Sequence, residues 1–276
     1  LLHYLTGMNQ LKTALIIDPF DKKENEILFL AKKNCASEFW NGIQLGVGSA
    51  DALKTAKGIT GFQNIMDIED LEKVLISKVK KHKLKSIATF WNQSGKSTKK
   101  DNNYTFKNKL SSFLKKNKKS KVSIENIAET VWKTRPQIDK EDFHNLQHAH
   151  KISANAFMKT LKKWSSFKTE YQMAGYLDGE IAKETPFRNS FPTICACGVN
   201  ACTLHYIKNA APLQKGKLVL LDFGVRYNSM CTDTSRTIPV NGRFNPLQKI
   251  LYNLVLETQN LVEQNAMPGI SLIELN

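Results

Sequence analysis

The segment LVLLDFGVRYNSMCTDTSRTIPV, residues 218–240, most constrains how this chain can fold. It consists of two apolar, β-prone runs joined at Asn228-Ser229, which is the natural turn of a hairpin. Each run carries one aspartate, Asp222 in the first and Asp233 in the second. A fold for this chain must therefore accommodate two carboxylates within a ribbon whose other residues favour burial.

The register of the hairpin decides whether the two aspartates meet. With a two-residue loop, opposed residue numbers sum to 457, so that Asp222 faces Ser235 and Asp233 faces Gly224. Because side chains alternate with period two, both carboxylates then lie on one face of the ribbon. A four-residue loop would place them directly opposite, with Cβ atoms about 5 Å apart. An odd-length loop or a bulge would separate them.

Two carboxylates this close lose hydration and repel each other, so that a shared proton or a bound cation must compensate. Carboxylate oxygens suit divalent ions such as Mn²⁺, Mg²⁺, Co²⁺ or Zn²⁺. A purely structural alternative, in which each aspartate caps a turn or faces solvent, stays open. The spacing alone thus allows a metal site, an acid dyad or two structural residues.

One histidine strengthens the chemical interpretation. His205 lies 17 residues before Asp222, in the run ACTLHYI, which we predict to be a strand. A neutral imidazole is a common metal neighbour or proton donor. A histidine in an apolar strand can equally be a satisfied core residue, and the sequence does not distinguish the two.

The chain as a whole is predicted to form two domains. Its 276 residues suffice for two cores. Apolar runs alternate with helical periodicity in the first part, which predicts an α/β domain over residues 1–125. The second part, residues 126–276, shows helices, then hairpin strands, then another helix, which predicts an α+β domain. The polar stretch at residues 92–103 is predicted to be a loop.

Two helix starts in the second part have specific signals. Thr169 with Gln172 fits a capping box, and Asn245-Pro246 fits an N-cap followed by proline at the first helical position. A long helix with an apolar stripe is expected before them, over residues 139–164.

Charge and cysteine content narrow the partners and the compartment. The net charge is +15, but only 5 of the 40 basic residues are arginine, and the densest lysine runs, residues 78–85 and 115–121, are predicted to be solvated surface. We therefore expect no nucleic-acid partner. The five cysteines are predicted to be small core residues with free thiols in a cytoplasmic protein. No apolar run approaches the length of a membrane span, so no membrane association is expected.

Both ends of the sequence are predicted to be cuts in a longer chain. The first residues, LLHYLTG, lack an initiator methionine, and the last residues, PGISLIELN, stop where a helix begins.

The order of these motifs resembles the proline-specific metallopeptidases of the pita-bread fold, and most closely the Xaa-Pro aminopeptidases. The matching features are Gly198 to Ala201, Leu204-His205-Tyr206, the strand end Asp222-Phe223-Gly224, and Asp233 to Thr237. The run TRPQIDKEDFHNLQHAHKISANAF is similar to the entry helix of that family, and YLTG to part of its N-terminal domain, which resembles that of creatinase and prolidase.

The resemblance implies a metal-dependent aminopeptidase that removes the N-terminal residue from peptides with proline second. It implies two divalent ions, commonly Mn²⁺, which activate a bridging hydroxide. Asp222 and Asp233 would be metal ligands, and His205 would contact the substrate during catalysis. The expected partners are proline-containing peptides and a second copy of the chain in a homodimer.

The sequence departs from this family at its C-terminal end. The family supplies a histidine and two glutamates as further ligands beyond the point where this sequence stops, so the catalytic domain is expected to be incomplete and, as supplied, metal-poor and inactive. A prolidase-like dipeptidase and a non-catalytic pita-bread binding module remain alternatives.

Overall fold

The computed structural model describes residues 2–90, 102–119, 121–134, 137–187 and 189–276. They form two compact units, residues 1–137 and 138–276. The predicted boundary between residues 125 and 126 precedes this division by twelve residues. Most of the predicted polar loop lies outside the described residues, but its last two residues already belong to a helix.

The first unit combines short strands with helices. Its helices are α1 (Leu2–Thr6), α2 (Cys35–Asn41), α3 (Ala50–Thr60), α4 (Leu71–Lys81), α5 (Asn102–Lys116) and α6 (Ala128–Thr134). Its strands are β1 (Ala14–Ile17), β2 (Glu26–Leu30), β3 (Ile65–Asp67), β4 (Ser86–Thr89) and β5 (Ser123–Asn126). Strand β2 pairs with β1 antiparallel and with β3 parallel, while β4 and β5 form a separate parallel pair.

Strand β2 is the centre of the first core. Residues 27–30 are fully buried, because this strand is flanked on both edges and covered by α3 through Ala56. Helix α4 follows β3 after a short 3-10 turn, Ile68–Asp70. One lysine of the run predicted to be solvated is an exception, since Lys78 is buried with only 5% of its surface exposed.

The second unit contains the hairpin. Its helices are α7 (Lys140–Lys163), α8 (Glu170–Glu184), α9 (Pro246–Asn265) and α10 (Leu272–Leu275). Its strands are β6 (Ile194–Cys197), β7 (Leu218–Phe223), β8 (Arg226–Tyr227), β9 (Met230–Cys231) and β10 (Thr234–Pro239). The sheet order is β10-β7-β6, with antiparallel pairing throughout, and β8 and β9 continue the hairpin to its turn.

The core of the second unit lies between this sheet and the helix pair α7 and α8. Every second residue of β7, namely Val219, Leu221 and Phe223, is fully buried against the helices. Phe223 stacks on Phe157 of α7, with ring centroids 5.8 Å apart. Asp222 therefore lies on the sheet face opposite to this core.

Two predictions about local structure require correction. The run ACTLHYI is not a strand: a 3-10 helix covers Gly198–Cys202 and a turn follows. Gly198 adopts a φ of +60°, which ends the extended backbone of β6. The predicted capping box at Thr169 is also wrong, because Gln172 accepts its hydrogen bond from the backbone N–H of Lys168 instead.

The prediction that all five cysteines are core residues is wrong for three of them. Cys195 and Cys197 are buried in β6, whereas Cys35, Cys202 and Cys231 are exposed, and all five thiols are free. In contrast, Asn245 is the N-cap of α9 and is followed by proline at the start of the helix, as predicted, and Gln248 completes a capping box that was not predicted. Among the described residues, no helix has the length and apolarity that a membrane span needs.

Candidate metal centre

The hairpin turn has the two-residue loop, one of the alternatives that the sequence leaves open. Tyr227 pairs with Met230 across the two-residue loop, and Asn228 adopts a φ of +50° within it. Asparagine tolerates this left-handed conformation, which hairpin loops of two residues require. Further along the ribbon, Ser235 pairs with Asp222, as expected for a two-residue loop.

The ladder is interrupted between the turn and the two aspartates without a change of register. The backbone N–H of Val225 donates to the Thr232 hydroxyl oxygen at 2.9 Å, while the N–H of Thr232 donates to the Val225 carbonyl. The hydroxyls of Thr232 and Ser153 of α7 lie 2.9 Å apart, and both residues are buried. This network ties the hairpin to α7 at the residue that precedes Asp233.

Glycine is required at position 224 by the close approach of the two strands. A Cβ atom there would lie 2.1 Å from the carbonyl oxygen of Thr232 and 2.9 Å from the Ser190 side chain. Any larger residue would push the strands apart next to both aspartates. The glycine after Asp222 thus follows from packing, which the sequence alone does not reveal.

The two carboxylates interact with each other. Burial raises the pKa of Asp222 above its usual value, and the neighbouring carboxyl of Asp233 raises it further, whereas the Ser235 hydroxyl and His205 lower it. Asp222 is half-buried and Asp233 is exposed, so the pair is open to solvent on one side.

One oxygen of this pair lacks a partner. The Oδ1 atom of Asp222 is buried and accepts no hydrogen bond from any described residue. Among the residues that the structure describes, no lysine, arginine or histidine forms an ion pair with Asp222 or Asp233. A buried anionic oxygen without a partner costs free energy, and a cation with oxygen-ligand preference would remove that cost. The residues therefore fit a divalent metal.

His205 lies close to this pair but not in the predicted setting. It is exposed on the turn between the Gly198–Cys202 helix and β7, and its charge acts on Asp222. The structure thus brings all three predicted site residues into one region of the second unit. Sequence reasoning missed Glu170, whose buried carboxylate holds the segment that carries His205. Glu170 is the first residue of α8, between Thr169 and Gln172 of the predicted capping box, and the sequence there carries no signal of this role.

Comparison with known proteins assigns both units. Residues 144–276 match the model of metallopeptidase family M24, and residues 1–88 match the N-terminal domain of aminopeptidase P. Residues 144–276 are therefore similar to the metallopeptidases of family M24. The second unit is a pita-bread domain preceded by an aminopeptidase P N-terminal domain, as predicted.

Individual relatives agree with this assignment. The chain is similar to the Xaa-Pro aminopeptidase of Haemophilus influenzae, at 28% identity over 99% of this chain and 59% of the relative. It is also similar to the Xaa-Pro aminopeptidase of Escherichia coli, at 26% identity over 99% of this chain and 60% of the relative. The chain spans about 60% of the length of these relatives.

A solved structure shows the same architecture. Proline aminopeptidase P II from Yersinia pestis superimposes with a TM-score of 0.83 at 26% identity, over 99% of this chain and 61% of that one. The aminopeptidase PepP of Pseudomonas aeruginosa gives a TM-score of 0.83 at 23% identity, which supports the fold alone.

Proposed function

We propose that the full-length protein is a metal-dependent aminopeptidase that removes the N-terminal residue from peptides with proline in second position. The observation that carries this proposal is the buried, unpartnered Oδ1 of Asp222 beside the Asp233 carboxyl. The similarity to Xaa-Pro aminopeptidases favours this activity over that of a dipeptidase.

In this proposal Asp222 and Asp233 are ligands of two Mn²⁺ ions. Such an ion supplies Lewis-acid polarisation of a carbonyl and lowers the pKa of water. The residues of this chain orient the reaction: the paired carboxylates would hold the cations on the sheet face opposite the core, and His205 would donate a hydrogen bond to the peptide at the scissile bond.

The resemblance implies a histidine and two glutamates as further ligands. No histidine follows Asp233 in residues 234–276, and Glu257, Glu263 and Glu274 lie in helices α9 and α10. With Asp222 and Asp233 alone as ligands, residues 1–276 are expected to bind Mn²⁺ weakly. The free thiols are consistent with a cytoplasmic location, and a homodimer remains part of the proposal.

A paired substrate tests the proline requirement. We expect the full-length protein with Mn²⁺ to release the first residue from a tetrapeptide with proline second, and to leave the same peptide with alanine second largely intact. Equal rates on the two peptides would remove the proline specificity. Cleavage of an Xaa-Pro dipeptide but not of the tetrapeptide would favour the dipeptidase, and binding of the peptide without cleavage would favour a non-catalytic module.

A further inference from the structure

Glu170 is a fully buried carboxylate whose partners are all uncharged. It accepts four hydrogen bonds, two on each oxygen. The Oε1 atom receives the backbone N–H of Cys197 at 2.7 Å and the side-chain amide of Asn200 at 3.0 Å. The Oε2 atom receives the Tyr206 hydroxyl at 2.9 Å and the backbone N–H of Ala211 at 2.8 Å. The carboxylate is 0% exposed, so these donors replace its hydration.

The four donors all belong to one segment, residues 197–211. This segment has little regular structure of its own beyond a short 3-10 helix, and it carries His205. The side chains of Asn200 and Tyr206, on either side of His205, also bond each other at 3.1 Å. Glu170 is therefore the point on which the whole segment converges.

The charge of Glu170 is retained despite burial. Burial acts to raise the pKa of this carboxyl, but the hydrogen bonds from Asn200, Cys197, Ala211 and Tyr206 outweigh it, so that the pKa lies below the usual value. An ionised acceptor makes shorter and stronger hydrogen bonds than a neutral one. The segment is thus held by an anion, although none of the partners of Glu170 among the described residues is a cation.

We propose that Glu170 is a positioning residue that fixes the turn bearing His205 beside the Asp222–Asp233 pair. The proposal rests on the proposed function in one respect, namely that His205 contacts the substrate. Glu170 itself touches neither substrate nor metal. It acts by holding the turn that bears His205 beside Asp222 of β7 and Asp233.

A glutamine at position 170 is a sharp probe, because the two backbone donors bind different oxygens. Whichever way the amide of Glu170→Gln is oriented, its NH₂ group faces the N–H of either Cys197 or Ala211, and neither backbone group can turn into an acceptor. The substitution keeps size and shape but breaks one anchor. Glu184→Gln is the matched control, since Glu184 lies on the same helix with an exposed carboxylate bonded to Lys159.

The first readout needs no activity. Residues 1–276 contain six histidines, so the imidazole NMR signal of His205 can be assigned in this chain with His205→Ala. We expect Glu170→Gln to shift and broaden the His205 signal and leave the other histidines unchanged, while Glu184→Gln leaves all of them unchanged. An unaltered His205 signal in folded Glu170→Gln would overturn the proposal. If Glu170→Gln does not fold, Tyr206→Phe removes one of the four donors and must produce the same change to a smaller extent.

The second readout uses the full-length enzyme. A small displacement of a substrate-orienting group costs about 100-fold in rate, so we expect Glu170→Gln to lower kcat by about 10- to 100-fold with a smaller change in KM. In the His205→Ala background the same substitution should lower kcat by less than about twofold, because the two residues then act as one unit. An equal loss in both backgrounds would show a general structural role. Absence of any proline-peptide cleavage by the wild type would refute the proposed function, and the NMR comparison would still decide the positioning role.

Discussion

Each unit of the molecule contains a pair of neighbouring aspartates with at least one carboxylate oxygen withdrawn from water, and the two pairs are stabilised in different ways. In the first unit, Asp18 and Asp21 are buried around the ammonium of Lys78, whose Nζ lies 3.0 Å and 3.2 Å from their carboxylates. In the second unit, Asp222 and Asp233 have no cationic side chain in ion-pair contact among the described residues. The charge of the first pair is compensated by a lysine of the protein, whereas no described side chain compensates that of the second pair. We refer to them as the complete and the incomplete pair.

The pKa directions express this difference. Burial acts to raise the pKa of Asp18, but hydrogen bonds with Lys78 and with the Phe20 backbone reverse the effect, and the result is a lowered pKa. The pKa of Asp21 is lowered chiefly by its hydrogen bond with Lys81. Burial of Asp222 meets no such compensation, and its pKa is raised. The partner, rather than burial itself, thus decides whether a withdrawn carboxylate is stable as an anion.

The comparison also shows why ligand geometry alone is a poor guide to metal sites. Single ligand atoms of Asp18, Asp21 and His82 lie within 4.8 Å of one another, as a metal site requires. The Lys78 ammonium already stands among these carboxylates and supplies the positive charge. The aspartate pair of the hairpin offers fewer ligand atoms, but Oδ1 of Asp222 is buried without a hydrogen-bond partner among the described residues. This unpartnered oxygen is the stronger indication of a cation site.

The largest expected effect is at the incomplete pair. Asp222→Asn keeps the shape of the side chain and removes its charge, so the full-length protein should lose stoichiometric Mn²⁺ binding and all measurable proline-peptide cleavage. Metal content after dialysis and the cleavage rate check this. Asp51→Asn, at an exposed position on α3, is the control and should retain both. Retained stoichiometric metal in Asp222→Asn would refute the ligand assignment.

A smaller but clear loss is expected at the complete pair, in stability rather than activity. Lys78→Met keeps the aliphatic stem and leaves two buried carboxylates without their cation, which costs about 3–5 kcal/mol of unfolding free energy. Lys81→Met is the matched control, because Lys81 also bonds Asp21 but its side chain is 58% exposed. Urea denaturation at pH 7 measures both losses. A Lys81→Met loss as large as that of Lys78→Met would contradict the assigned role of burial.

The pH dependence of the complete pair follows from its lowered pKa values. The stability contributed by Asp18 and Asp21 is fully present above their unfolded value of 3.8 and is lost as the pH falls through their folded values. The difference between wild type and Lys78→Met should therefore be largest near neutral pH and shrink in acid.

The sequence predicted those parts of the site that local chemistry determines. The turn at Asn228-Ser229 and the strand periodicity included the register that pairs Asp222 with Ser235 among the open alternatives, and the N-cap at Asn245 was readable because it and the following proline are neighbours along the chain. The parts that failed depend on distant partners. The segment around His205 is not a strand because it bonds Glu170, up to 41 residues away, and Lys78 is buried because its partners lie up to 60 residues earlier.

The smallest expected effect is an increase in unfolding free energy at the incomplete pair, opposite in sign to the loss at the complete pair. Freed of metal with a chelator at pH 7, the full-length Asp222→Asn protein should be more stable than the wild type by about 1 kcal/mol, because an unsatisfied buried anion is replaced by a neutral amide that can donate to Asp233. The change that removes function would thus stabilise the empty protein, whereas Lys78→Met destabilises it.

The pH dependence distinguishes this explanation from a general packing effect. Asp222 has a raised folded pKa, so its ionised form destabilises the metal-free protein above that value, and protonation relieves the cost as the pH falls. The advantage of Asp222→Asn should therefore be largest near pH 7 and disappear in acid, as the pH falls through the folded pKa of Asp222 towards the unfolded value of 3.8. Urea midpoints of both proteins at pH 7 and at successively lower pH provide the measurement. An advantage that does not change with pH, or a loss of stability at pH 7, would mean that the protein itself already compensates Asp222, which would then resemble Asp18 and need no metal.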